Sequence, residues 1–142
     1  MILSIREVRF EDEAPVIISM DAALFDAVDA PFPGGAGFWW LVYDEYYSLP
    51  IGYANLRQSH KWADCGFLAR AGLLPEARGH GVQKRLIRAR IAKARRIGWS
   101  YLITNTYRNP ASVNSLIACG FKAYIPTYKW AGADAQYWRR KI

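Results

Sequence analysis

The run from Cys65 to Ile97, CGFLARAGLLPEARGHGVQKRLIRARIAKARRI, constrains the fold more than any other stretch, because its hydrophobic period changes part-way. CGFLARAGLL is a short apolar run halted by Pro75, which reads as a largely buried strand. Gly72 within it marks a bulge or a close approach to the backbone. From Val82 the period becomes helical. Val82, Leu86, Ile87, Ile91, Ala94 and Ile97 fall within one half of the wheel, and Lys84, Arg85, Arg88, Arg95 and Arg96 take the other. Arg90 and Lys93 intrude on the apolar half, so their stems should snorkel toward its rim. Gly98 is a fitting stop. A strand, a glycine turn and an amphipathic helix in sequence need a sheet to cover the helix.

The flanking segments supply it. LSIREVRF reads as a first strand, and EDEAPVIISMDAALFDAVDA as a helix with acids near its start. PFPGGAG is a breaker loop. FWWLVYD and PIGYANLRQ, separated by EYYSL, form a hairpin. WSYLITNTY is a strand, and NPASVNSLIACGF a short helix with Asn109 as cap, Pro110 at its first position and Gly120 closing it. FKAYIPTYKW and AQYWRRKI close the chain as strands. The expectation is one α/β (α+β) domain over residues 1–142, without repeats.

Composition narrows the class. Hydrophobic residues reach 52% with 22% charged, which is ample for a core. MILSIREVRF meets charge at Arg6 and does not resemble a signal peptide, and no apolar run approaches the roughly 20 residues of a membrane span. Cys65 and Cys119 are too few for a disulfide framework or a zinc site, so no metal is expected. The expected setting is the cytoplasm, with no membrane partner; nothing in the sequence opposes a homodimer.

The net charge of +7 is uneven: eight of nineteen Lys and Arg lie between Arg78 and Arg96, and the other eleven face twelve Asp and Glu. Such a segment suggests a local anion site more than a generally basic surface. Small residues in Arg78-Gly79-His80-Gly81-Val82-Gln83-Lys84 allow backbone N–H groups to converge. The first turn of a helix adds unpaired donors and a partial positive charge, which suits phosphate. Arg78, Lys84 and Arg85 could add charge-assisted bonds. There is no G-x-x-x-x-G-K-[ST] and no complete G-x-G-x-x-G, which argues against a P-loop nucleotidase and a dinucleotide fold. A basic helix lying along nucleic acid is the rival reading. Its apolar half needs a sheet and no helix-turn-helix, zinc-finger or RRM-type signature is present, so nucleic acid is not the expected partner.

AGLLPEARGHGVQKRLI, followed about thirty residues on by NPASVNSLIACGF, resembles the GNAT family of acyl-CoA-dependent N-acyltransferases. Arg78-Gly79-His80-Gly81 matches that family's turn, and Asn109, Ser112, Gly120 and Phe121 match its second motif. The resemblance implies a mixed, mostly antiparallel sheet of six or seven strands, with helices on both faces and strands splayed at the cofactor. It implies transfer of an acetyl group from acetyl-CoA, as co-substrate, to the primary amine of a small molecule or protein. Ala71, Gly72 and Leu73 would face the pantetheine arm with backbone groups. Arg78, Gly79, His80, Gly81, Val82, Gln83 and Lys84 would hold the pyrophosphate, and Asn109 and Ser112 the pantetheine amide. Gln83 stands where the family usually has Gly or Ala. Leu116 stands where many members carry a Tyr acid, and Thr104 where some carry a Glu base. A GNAT-like domain that binds acyl-CoA without catalysis is therefore the other reading.

Acyl transfer needs the amine deprotonated, and a lysine-like amine has a pKa of roughly 10. Asp64 and Tyr107 are the candidate catalytic groups, with His60 and Tyr124 behind them. The plain alternatives are a solvated turn for Asp64, an exposed loop for His60 and aromatic packing for the tyrosines. Cys119 has no paired His and Asp arrangement. Asp44, Glu45 and Asp64 could attract a cationic acceptor.

Overall fold

The computed structural model describes residues 2–142. In chain order the elements are β1 Leu3–Val8, α1 Phe10–Leu24, β2 Phe38–Asp44, β3 Leu49–Gln58, β4 Cys65–Leu73, a 3-10 turn Pro75–Ala77, α2 Val82–Ile97, β5 Tyr101–Thr106, α3 Pro110–Ala118, β6 Lys122–Tyr124 and β7 Gln136–Lys141. The seven strands form one open sheet in the order β1-β2-β3-β4-β5-β7-β6. β1 pairs with β2, β2 with β3, β5 with β7 and β6 with β7 antiparallel, whereas β4 and β5 are parallel. The expected α/β fold is observed.

The chain forms two compact units, one running to Arg57 with Ala69–Val82, the other Gln58–Leu68 with Gln83–Ile142. In the first, Ile17 and Met20 of α1 are buried with Trp39, Leu41 and Tyr53 of the hairpin. Phe10 and Phe32 flank Trp39 at centroid distances of 5.3 and 6.1 Å, so the breaker loop contributes a ring to the core. Side chains from the sheet also hold that loop's carbonyls. Trp39 Nε1 donates to Gly35, Asn55 Nδ2 to Ala36 and Phe38, and Arg57 to Pro33 and Gly34. These bonds satisfy carbonyls that no ladder would reach.

In the second unit, Leu86, Ile87, Ile91 and Ala94 of α2 are buried, as are Leu102, Leu116, Phe121 and Trp138. Three expectations need correction. Ile97 is 39% exposed, because the last turn runs out beyond the core. Arg90 does not snorkel; it is buried, its Nε bonds the Leu86 carbonyl at 3.2 Å, and desolvation pulls its pKa down to about 10. The segments at 11–30 and 121–130 are shorter as regular structure. α1 stops at Leu24, where Phe25 turns extended, and Asp26 Oδ1 accepts from Val28 and Asp29 in a turn of its own. β6 holds only Lys122–Tyr124.

Candidate functional site

Gly79 and Gly81 take φ of +80° and +70°, while His80 between them is not among the residues of positive φ. Alternating hands along three residues turn successive N–H groups toward one side, the geometry of an anion nest. Val82 opens α2 directly afterwards, and the first turn of that helix contains no acidic residue. A Cβ built on either glycine would meet nothing within 4 Å. The space above the turn is therefore open, and the turn's demand for glycine is conformational. His80 and Lys84 are exposed, and Gln83 is half-buried.

The Arg78 side chain also has a role inside the protein. Its Nε donates to the Leu73 carbonyl at 3.2 Å, tying the turn back to the end of β4. That bond also occupies a carbonyl expected to face the pantetheine arm. Gly72 is buried for a reason inside the protein: a Cβ there would lie 2.7 Å from Leu24 Cδ1 and 2.8 Å from Tyr53 Cε1. The close approach is real, and two side chains make it.

Tyr53 belongs to a buried network that sequence reading missed. Its hydroxyl donates to Asp21 Oδ1 at 2.5 Å, and Arg70 Nη1 reaches both Asp21 oxygens at 3.0 Å. Burial first, and the Asp21 carboxylate second, push the Tyr53 phenol up. Arg70 continues to the carbonyls of Ala30 and Pro31 and lies 4.3 Å from the centroid of Phe25. Asp21 and Arg70 are 49 residues apart in sequence, so no local pattern announces the pair.

In the second unit, the pairing of β4 with β5 runs from Cys65↔Tyr101 to Phe67↔Ile103. Beyond it the Thr104 hydroxyl donates to the Leu68 carbonyl at 2.8 Å, a buried bond. Thr104 is thus a structural substitute for a ladder bond. Leu116 is equally structural. It is 5% exposed, and its carbonyl accepts from Phe121 while Ile117 accepts from Gly120, a Schellman closure with Gly120 at φ +86°. At the other end of α3 the Asn109 side chain accepts from the Ser112 N–H at 3.1 Å, as a cap should. The Asn109 amide donors are not used by that bond.

Tyr107 follows β5 directly and is 55% exposed, with the Arg108 guanidinium 5.3 Å from its ring. Asp64 is exposed immediately before β4, whereas Ala71–Leu73 close that strand. Asp64 and the Ala71–Leu73 segment therefore occupy opposite ends of β4. His60 is exposed. Burial raises the Tyr124 phenol, the Trp130 indole opposes that rise, and both polar atoms are buried without a hydrogen-bond partner. Asp44 and Glu45 are spoken for: Asp44 Oδ1 accepts from the Tyr46 N–H, and Ser4 and Arg6 both donate to Glu45, holding its carboxyl below the usual range. An open groove of about 510 Å³ in the first unit has apolar walls including Val16, Met20 and Ile51, with Glu76 its one ionisable group. Among the described residues no cluster of His, Cys, Asp or Glu could hold a metal, and no helix is long and apolar enough to cross a membrane.

The family model of the GNAT acetyltransferases matches residues 4–121, which include the glycine turn, the capped helix α3 and its Gly-Phe closure. The chain belongs to the GNAT acetyltransferase family. It is accordingly an acyl-CoA-dependent acetyltransferase. An IAA acetyltransferase from Bacillus cereus superposes on it with a TM-score of 0.77 at 15% identity, over 99% of this chain and 100% of that one. A phosphinothricin acetyltransferase from Sinorhizobium meliloti, solved in complex with AcCoA, gives 0.75 at 20% identity, over 100% and 89%. A GNAT-family acetyltransferase from Streptococcus pneumoniae gives 0.72 at 16%, over 99% and 100%. At these identities the likeness is one of fold. No curated protein matches the sequence significantly.

Proposed function

We propose that this acetyltransferase moves an acetyl group from acetyl-CoA to a primary amine by direct attack on the thioester, the whole chain acting as one catalytic domain. The observation that carries the reading is the Gly79-His80-Gly81 turn, whose alternating φ and acid-free helix start suit a pyrophosphate. The residues present fit such a group, because the space above both glycines is open.

In this reading Gly79, His80, Gly81, Val82, Gln83 and Lys84 hold the pyrophosphate, chiefly with backbone N–H groups. The exposed side chain of Lys84 adds charge. Arg78 acts mainly by fixing the turn through Leu73. Ala71, Gly72 and Leu73 present strand backbone to the pantetheine arm, and Asn109 and Ser112 bind its amide. Acetyl-CoA supplies the activated acyl group and a thiolate that leaves readily. Holding amine and thioester together accounts for much of the rate. Tyr107 is the acid, its exposed phenol placed between β5 and α3. The amine's proton passes to water, since Asp64 stands at the far end of β4 from Ala71–Leu73.

One observation favours binding without chemistry: Thr104 and Leu116 are both committed to packing. Two measurements decide. Gly81→Glu places a carboxylate in the cradle and should abolish the thermal shift given by acetyl-CoA; an unchanged shift would remove the turn from the site. Thiol release with a panel of amines then separates an enzyme from a binding protein.

A further inference from the structure

The two units differ sharply in charge. The unit ending at Arg57 with Ala69–Val82 holds 5 basic and 10 acidic residues, net −5; the other holds 14 basic and 2 acidic, net +12. The pyrophosphate turn does not account for this excess, because most of it lies elsewhere in the second unit.

A large part forms a track. Lys84, Arg85, Arg88, Arg95 and Arg96 are all exposed, and at 100° per residue they fall within about 120° of the α2 surface. The track runs from residue 84 to 96, about 18 Å at 1.5 Å per residue. α2 contains no Asp or Glu at all, so the helix lacks the alternating charges of an ordinary solvated face. Four of the five cations are arginine, whose planar fork matches phosphate oxygens.

The track ends beside exposed aromatic rings. Just past α2, the N–H groups of Ser100 and Tyr101 both bond the Asp64 carbonyl, at 2.7 and 3.3 Å. This brings the 59–64 loop to the start of β5. Trp62 in that loop is 43% exposed with Lys61 Nζ 5.1 Å from its ring centroid, and Tyr101 is 40% exposed, paired across the ladder with Lys141. Exposed cations on a helix followed by exposed rings are the combination that takes a phosphate backbone together with unstacked bases.

We propose that the outer face of α2, with Trp62 and Tyr101 at its end, is a docking surface for single-stranded RNA. RNA is the nucleic acid whose ordinary state offers unpaired bases beside its phosphates. A membrane is disfavoured because the apolar half of α2 is buried in its own core and leaves nothing to insert. Lys84 is shared with the proposed pyrophosphate turn, whereas Arg88, Arg95, Arg96, Trp62 and Tyr101 have no part in it.

The test is fluorescence anisotropy with a labelled twelve-nucleotide uridine-rich RNA, using the full chain at several salt concentrations. Contact with about five phosphates predicts a slope of log K against log salt near −3.5, or roughly a hundredfold loss between 50 and 200 mM. Arg88→Glu/Arg95→Glu should weaken RNA binding at least tenfold and flatten the slope. Trp62→Ala should weaken it several-fold without changing the slope. Both variants should keep the acetyl-CoA affinity of the parent, which separates this proposal from the assignment of the cofactor site. The proposal is overturned by no binding at 50 mM salt, or by equal or tighter binding to duplex DNA or anionic phosphatidylserine vesicles. RNA affinity untouched by the double reversal, or acetyl-CoA affinity lost along with it, also overturns it.

Discussion

Replacing Gly81 by asparagine and, separately, by valine separates conformation from space at the cofactor turn. Gly81 has φ +70°, and a Cβ there meets nothing within 4 Å. Crowding within the protein therefore contributes nothing to the cost, and only the dihedral does. An L-residue held in the left-handed region costs about 1–2 kcal/mol, less for asparagine and more for a β-branched side chain. A valine turn will relax to negative φ and swing its N–H groups away from a common point. The strain then reappears in binding, since the ligand must restore the left-handed turn. Gly81→Val should raise the dissociation constant of acetyl-CoA by about 5- to 30-fold. Gly81→Asn should stay within about threefold of the parent, because asparagine tolerates this region. Isothermal titration calorimetry reads both directly, and near-identical circular dichroism shows that the fold is intact. Equal losses for the two variants would refute the dihedral argument, and no loss in either would remove the turn from the site.

Three further outcomes follow from the same structure. Arg70→Met leaves the Asp21 carboxylate, only 4% exposed, without its cation and should cost about 3–5 kcal/mol in urea unfolding, whereas adding Asp21→Asn should recover most of that loss; additive losses would show that the pair is not coupled. Tyr107→Phe should lower kcat by about tenfold or more while leaving acetyl-CoA affinity alone, and full activity would take Tyr107 out of the acid role. Burial pushes the Cys65 thiol up to about 11, so in native protein at pH 8.5 its alkylation should run about a hundredfold slower than in urea; comparable rates would show that the thiol is accessible and ordinary.

Much of the fold was legible because its signals are local. Asn109, Pro110 and Gly120 mark both ends of α3 by rules that act within one turn, and the structure has all three in those roles. The apolar half-wheel of α2 predicts which of its residues are buried up to Ala94, failing only at the exposed Ile97 and at Arg90. Two residues have partners inside the protein that their own neighbourhood in the sequence does not name. Gly72 reads as a close approach to the backbone, and Tyr53 and Leu24 are the side chains that make it. Arg78 reads as a phosphate ligand, and its Nε also bonds the Leu73 carbonyl five residues back.

The sequence by itself determined the order of strands and helices, the glycine turn ahead of a basic helix, and the family. Each depends on periodicity, dihedral preference or capping, which a few neighbouring residues specify. Only the tertiary structure decided that Thr104 and Leu116 serve packing and that Asp21, Tyr53 and Arg70 form one buried network. A hydrogen bond between residues 49 positions apart depends on where the whole chain carries them, and no local pattern in the sequence encodes that.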